Sequence, residues 1–229
     1  MNYIRVIIPA FNEEKSVGKV IDAIPKDIVN EVIVVNNGSN DNTFEVAKSH
    51  GATVLSEEKK GYGNACLKGI EYIKSLKDPT NVLVFLDADY SDHPEELPKL
   101  IQPILEEDYQ MVIGSRTLGK KEVGSITPQQ IFGNWLATKL LRLFYGVKFT
   151  DLGPFRAIRW DSLQQLQMVD RNYGWTVEMQ IKAAQKKLKY KEVPVSYRQR
   201  IGQSKVSGTV KGTIMAGYKI LWLLFKYAI

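Results

Sequence analysis

The sequence predicts an α/β fold, a mostly parallel sheet with helices on both faces. Three observations carry this. Short apolar runs recur through the first half of the chain, stretches of helical periodicity separate them, and polar turn clusters follow the runs. IRVIIPA (4–10) is an apolar run up to Pro9 apart from Arg5, as in a strand buried on both faces. Residues 13–25 place Val17, Val20, Ile21 and Ile24 at helical spacing and stop at Pro25. EVIVVN (31–36) is a second buried run, and SNDNTFEVAKSHG (39–51) is helix-like with Gly51 as its stop. ATVLS (52–56) is a third strand, and residues 61–76 form a helix behind a glycine-rich start. NVLVFLD (81–87) is a fourth strand. Pro94 opens the helix that follows, and YQMVIGS (109–115) is a fifth strand.

The chain has 229 residues, of which 44% are hydrophobic, enough for one domain with a substantial core. We expect residues 1–229 to be that domain, with residues 1–116 as a nucleotide-binding half and 117–229 as an acceptor-side half. Residues 117–127, polar and glycine-containing, are expected to be a mobile loop between the two lobes. The net charge of +6 suits an anionic membrane surface or a phosphorylated substrate, and no motif supports nucleic-acid binding. Cys66 is the single cysteine, so there is no internal disulfide. The apolar run in MNYIRVIIPAFNEE is too short for a secretory leader, and no stretch reaches the ~18 apolar residues of a membrane span. A cytoplasmic location follows as the expectation.

Asp87 and Asp89 lie at the carboxyl end of the fourth run, where open parallel sheets bind ligands. With only Ala88 between them, both can face one crevice. Two adjacent carboxylates repel, and a divalent cation relieves that cost; oxygen-only ligands suit Mg²⁺ or Mn²⁺. The other strands end in PAFNEE, NNGSNDNT and EEKKGYGNA, polar clusters on the same predicted edge. Lys59 and Lys60 can meet phosphate there, and glycines at 61 and 63 admit close backbone approach.

VIIPAFNEE, VVNNGSNDNT, GYGNA, DAD, GSR and DLGPFRAIR, in this order, resemble the family 2 glycosyltransferases of GT-A fold, most of all the dolichyl-phosphate mannose synthase-like branch. The resemblance covers about residues 4 to 206. It implies inverting transfer of a sugar from a UDP- or GDP-linked donor, with a divalent metal on the diphosphate. By that resemblance Pro9, Ala10, Asn12 and Glu13 line the nucleoside pocket, and Asn37 stands where the family usually has an aspartate on the base. Lys60, Gly61, Gly63 and the Asp87-Ala88-Asp89 triplet complete the donor side, with Asp87 and Asp89 on the metal. Ser91 stands where the branch often has a metal-reaching glutamine.

On the acceptor side the resemblance implies Arg116 on an acceptor phosphate, and Asp151 and Arg156 on the floor of the site. A second phosphate-binding arginine of the family is replaced here by Gln129 or Gln130. Glu178 occupies the place of a carboxylate base in many inverting relatives. It serves as base for a hydroxyl acceptor, or holds the acceptor loop if the acceptor is an ionised phosphate. Arg198, Arg200, Ser204 and Lys205 resemble a loop that closes over donor phosphates, with Arg198 and Ser204 also expected to reach the acceptor. There fixed cations, Arg200 and Lys205 foremost, stabilise the leaving diphosphate.

Two patterns concern lipid. Phe132, Trp135, Leu136, Leu140, Leu143 and Phe144 form a stripe expected to face the core. The last twenty residues, apolar but broken by Lys211, Lys219 and Lys226, suit an amphipathic helix at a membrane surface, a final helix packed on the domain, or a dimer contact. The expected acceptor is a polyprenyl phosphate at the cytoplasmic membrane face, the alternative a sugar or other hydroxyl. A nucleotide-sugar-forming nucleotidyltransferase and a nicotinamide-dependent enzyme each require a glycine-rich loop after the first strand, and PAFNEE is not one.

Overall fold

The computed structural model describes residues 2–202, 204 and 209–228. Its strands are β1 (Ile4–Ala10), β2 (Glu31–Asn36), β3 (Thr53–Ser56), β4 (Val82–Phe85), β5 (Met111–Ser115), β6 (Arg156–Arg159) and β7 (Tyr190–Pro194). They form one seven-stranded sheet in the order β3-β2-β1-β4-β6-β5-β7. The pairs β1–β2, β2–β3, β1–β4 and β5–β7 are parallel. β6 runs antiparallel to both its neighbours, with Ala157 opposite Val84 on one side and Val112 on the other.

The helices are α1 (Val17–Ala23), α2 (Thr43–Ser49), α3 (Tyr62–Ser75), α4 (Leu97–Glu106), α5 (Pro128–Tyr145), α6 (Trp160–Leu166), α7 (Trp175–Gln185) and α8 (Val210–Lys226). Strand alternation divides the core into two layers. Ile7, Ile33, Leu83, Phe85 and Ile113 face α3 and α5 to α8, while Val6, Ile8, Val34, Val84 and Val112 face α1, α2 and α4. Every residue of β1 is buried, Arg5 through its pair with Glu31 (2.9 Å), which is why the rest of its run is apolar on both faces rather than alternating.

Three expectations change. First, residues of the two sequence halves share the sheet, because β6 separates β4 from β5. Second, residues 117–127 are tied down among the described residues. Tyr197 donates to Lys120 O (2.9 Å), Glu122 N donates to Tyr197 O (2.9 Å), and Gln199 N donates to the Glu122 carboxylate (2.8 Å). Third, the α5 stripe does not face the core. Ala137 and Leu141 do, whereas Phe132, Trp135 and Leu143 are 61%, 53% and 73% exposed. Of the stripe, Leu140 packs partly against the core, as does Tyr145 at the helix end. Thr127 and Gln130 close a reciprocal capping box, and Gly146 (φ 69°) ends the helix.

Candidate active site

The carboxyl ends of β1, β2 and β4 meet where the strand order turns outward from β1, the position at which such sheets bind ligands. After β1 the chain turns sharply: Asn12 adopts φ 56°, its N–H donates to Ser39 Oγ (2.9 Å), and its Oδ1 accepts from Asn40 N (2.8 Å). Glu13 N donates to Thr43 Oγ1 (2.8 Å), and Ala10 O accepts from Asn37 N (2.8 Å). Pro9 and Ala10 thereby lie in β1 against the β2 loop, with Asn12 and Glu13 at its rim.

Asn37 brackets the 57–61 loop. Its Nδ2 donates to Glu57 O (3.0 Å) and Lys59 O (2.8 Å), and its Oδ1 accepts from Gly61 N (2.7 Å). A carboxylate here would face two carbonyls it cannot donate to, so an amide suits the position. The glycines have a different reason from the expected one. A Cβ on Gly61 (φ 140°) would lie 2.2 Å from Arg171 O, and one on Gly63 2.1 Å from Asp170 O. They admit the 170–171 backbone, while the Gly61 amide is already directed at Asn37. The Lys60 ammonium sits over the Phe11 ring at 4.8 Å.

Asp87 and Asp89 come together as the spacing implied. Tyr62 donates its hydroxyl to Asp87 Oδ1 (3.0 Å). Ser91 donates through both N–H (2.9 Å) and Oγ (2.5 Å) to Asp89 Oδ1, and Arg200 pairs with Asp89 Oδ2 at 2.9 Å. Enclosure by protein, then repulsion from Asp89, push the Asp87 carboxyl up to about 7, against the pull of Arg200 and Tyr62. The backbone between Asp89 and Asp92 is itself constrained, with Tyr90 at φ 61° and Ala88 buried. The 197–201 segment lies along it: Ile201 N donates to Asp89 O and Arg198 N to Ser91 O, both at 2.9 Å. Arg198 stacks over Tyr90 (3.8 Å) and donates to Asp92 O (3.1 Å), so it braces the loop from behind. Ser204 is half-buried, and Lys205 lies outside the described residues.

Asp92 adds a third carboxylate that spacing alone did not single out. It is buried, neither oxygen has a hydrogen-bond partner among the described residues, and burial together with Asp87 and Asp89 pushes it well above the usual carboxylate range. Its signal was visible as the third acidic residue of DADYSD. Tyr62 and Tyr197 were also missed, since an aromatic next to glycine or in a basic segment carries no distinct pattern.

On the other side of β4, Asp151 pairs with Arg116 and not with Arg156. Its Oδ2 accepts from Arg116 N (2.7 Å) and Nε (2.8 Å), and its Oδ1 from Nη2 (2.6 Å). Burial opposes ionisation of Asp151, but the Arg116 charge and bonds outweigh it and hold the carboxyl below its ordinary value. The Arg116 guanidinium also lies over the Tyr197 ring at 5.1 Å. Arg156 has no solvent access and donates to the carbonyls of Leu152, Gly153 and Thr176. It therefore supports the floor from within β6 and does not line it. Gln130 serves the α5 cap, so it does not replace the expected second arginine. Glu178 is fully buried: it accepts from Val169 N (3.1 Å), Asp170 N (2.8 Å) and Tyr227 OH (3.2 Å) and pairs with Lys182 (2.8 Å).

The carboxylate pair fits a divalent cation, since two ligands one residue apart leave positions for water and phosphate oxygens. Among the described residues no group of three or more His, Cys, Asp or Glu side chains forms a metal-holding cluster.

A family model described as glycosyl transferase family 2 matches residues 5–167. The chain is 34% identical over 215 residues to an uncharacterised glycosyltransferase of Mycobacterium tuberculosis, covering 93% of this chain and 94% of that one. It is 32% identical over 222 residues to the undecaprenyl-phosphate mannosyltransferase of Micrococcus luteus, covering 90% and 88%. It is 29% identical over 244 residues to a UDP-N-acetylglucosamine–dolichyl-phosphate N-acetylglucosaminyltransferase of Methanococcus voltae, covering 96% and 94%. The fold matches crystalline glucosyl-3-phosphoglycerate synthase of Mycobacterium tuberculosis, in complex with Mn²⁺, UDP and phosphoglyceric acid. That match has a TM-score of 0.79 and 23% identity, covering 99% of this chain and 78% of that one. With a family model spanning most of its length and relatives of this identity along nearly all of it, the chain belongs to glycosyltransferase family 2.

Proposed function

We propose that the protein transfers a sugar, with inversion, from a UDP- or GDP-linked donor to the phosphate of a polyprenyl carrier at the cytoplasmic face of a membrane. Pro9, Ala10, Asn12 and Glu13 with the Asn37-bracketed loop form the nucleoside side of the cleft. Asp87 and Asp89 hold Mg²⁺ or Mn²⁺, which when bound supplies positive charge to the donor diphosphate. An acceptor phosphate oxygen attacks the anomeric carbon, the bond from that carbon to the diphosphate oxygen breaks, and the nucleoside diphosphate leaves. Arg200, already at the carboxylate pair, and Lys205 oppose the charge that develops on the leaving group. Arg116, with Nε and Nη2 held by Asp151, keeps Nη1 for the acceptor phosphate. Relatives of similar length carry names with undecaprenyl-phosphate and dolichyl-phosphate acceptors, which supports the lipid reading.

The observation that carries the choice of acceptor is Glu178. A base for a hydroxyl must face the cleft with a free oxygen. This carboxylate is buried beneath the 169–170 backbone and engaged by Lys182 and Tyr227. It positions the loop that presses on Gly61 and Gly63, and an ionised phosphate needs no base. Glu178→Gln is therefore expected to lower Tm but keep transfer to polyprenyl phosphate within ~10-fold, measured with a panel of nucleotide-sugars and Mn²⁺. A ~100- to 10,000-fold loss of turnover in the folded variant is the scale of a removed base. That result would overturn the phosphate reading in favour of a hydroxyl acceptor.

A further inference from the structure

Of the thirteen large apolar side chains that are exposed among the described residues, nine lie on α5 and α8. On α5, Ile131, Phe132, Trp135 and Leu143 fall within one arc of roughly 120° at 3.6 residues per turn. On α8, Tyr218, Trp222 and Phe225 fall within a narrower arc of roughly 60°, Trp222 being 41% and Phe225 52% exposed. The opposite sides are anchored. Ala137 and Leu141 of α5 and Leu223 and Leu224 of α8 are buried, and Tyr145 donates to Leu224 O (2.7 Å). The two helices adjoin at the Phe144–Phe225 ring contact (5.3 Å).

The charges on these helices are of one sign. Neither α5 nor α8 contains an aspartate or glutamate. Exposed Lys139 and Arg142 lie within the apolar arc of α5. On α8 the ammonium groups of Lys219 and Lys226 sit 4.8 and 4.7 Å from the Trp222 ring, Lys219 being also tied to Asp170 at 2.9 Å. A second copy of the chain meeting these faces across a two-fold axis would set cation against cation with no carboxylate on either helix to pair. Among the described residues no helix is long and apolar enough to cross a membrane. An aromatic and apolar face studded with cations, on helices that do not span, is the pattern of helices lying in a bilayer interface.

We propose that the outward faces of α5 and α8 together seat on an anionic phospholipid surface. This deepens the lipid-acceptor reading, yet it is tested with neither donor nor acceptor present, so either can fail alone. The probe is a vesicle of phosphatidylcholine with or without about 30% phosphatidylglycerol, doped with brominated lipid that quenches tryptophan on contact. The protein is expected to co-sediment at least ~10-fold more tightly with the anionic vesicles, and less so at high salt. Trp135→Phe and Trp222→Phe should each remove part of the quenching, and the double variant nearly all of it. The double charge reversal Lys139→Glu/Arg142→Glu should weaken binding at least ~25-fold, at ~5-fold per lost cation with repulsion of the new carboxylates added, and with Tm unchanged because both side chains are exposed. Equal binding to both vesicle types, or none, would overturn the proposal, as would quenching confined to one of the two tryptophans. A concentration-dependent dimer that Trp222→Glu abolishes would assign the face to a second copy instead. Firm vesicle binding with no transfer to polyprenyl phosphate would remove the acceptor reading and leave this one standing.

Discussion

Single residues in the cleft are held by partners that fix which atoms remain for chemistry. The Arg116–Asp151 pair is the strongest case, with the Asp151 side chain only 2% exposed and Arg116 15%. Removing one partner of a buried pair leaves the other charge uncompensated, so Asp151→Asn should cost ~3–5 kcal/mol. The pH dependence follows from the direction of the Asp151 shift. Its folded pKa is depressed, so its contribution is fully present above the unfolded value near ~3.9 and is lost as pH falls through the lower folded value. Urea unfolding from pH 7 down to 3 should show a constant wild-type advantage over Asp151→Asn above about pH 5 that shrinks below about pH 4. An advantage independent of pH across that range would mean that the carboxylate charge is not what stabilises the fold. Asp92 is legible in hindsight as part of DADYSD, but its burial is not: nothing in its neighbours says that its oxygens point inward.

At the scale of elements, the glycine-rich start of α3 shows how a correct motif acquires its reason only from packing. Gly63 stands in the first turn of a helix, where alanine is ordinarily the better residue by ~1 kcal/mol. Here the added Cβ would meet Asp170 O at 2.1 Å and Arg171 backbone at 2.8 Å. Gly63→Ala should therefore destabilise by ~1–3 kcal/mol, as overpacking against backbone does. Gly133→Ala in α5, where nothing lies within 4 Å of the new Cβ, should stabilise by ~0.5–1 kcal/mol. Thermal or urea unfolding of the two variants checks the opposite signs. The same 169–174 loop links α8 to the donor side. Lys219 pairs with Asp170, Tyr227 donates to Glu178, and a Cβ on Gly174 would meet Leu223 at 2.2 Å. α8 and the Gly61–Gly63 turn thus rest on one short segment.

For the whole molecule, the placement of β6 matters most. It comes from the second half of the chain yet pairs with β4 and β5 of the first, and Arg156 within it is fully buried. The two halves cannot separate without breaking the middle of the sheet. Urea unfolding followed by circular dichroism and by tryptophan fluorescence should therefore give coincident transitions. Trp135 and Trp222 report from the exposed helices and Trp175 from the core, so a stepwise loss of one half would be seen as separated midpoints.

What the sequence determined by itself was the alternation of strands and helices in the first 115 residues, the edge at which the site forms, and the pairing of Asp87 with Asp89. These follow from local physics: strand and helix periods differ, strands buried on both faces are continuously apolar, and side chains one residue apart at a strand end share a crevice. Tertiary structure alone decided the antiparallel insertion of β6, the partner of Asp151, the withdrawal of Glu178 into the protein, and the outward turn of the α5 stripe. Each depends on residues distant in the chain. A helical stripe of Phe, Trp and Leu has the same period whichever way it faces, and a carboxylate has the same letter whether it meets substrate or a backbone amide.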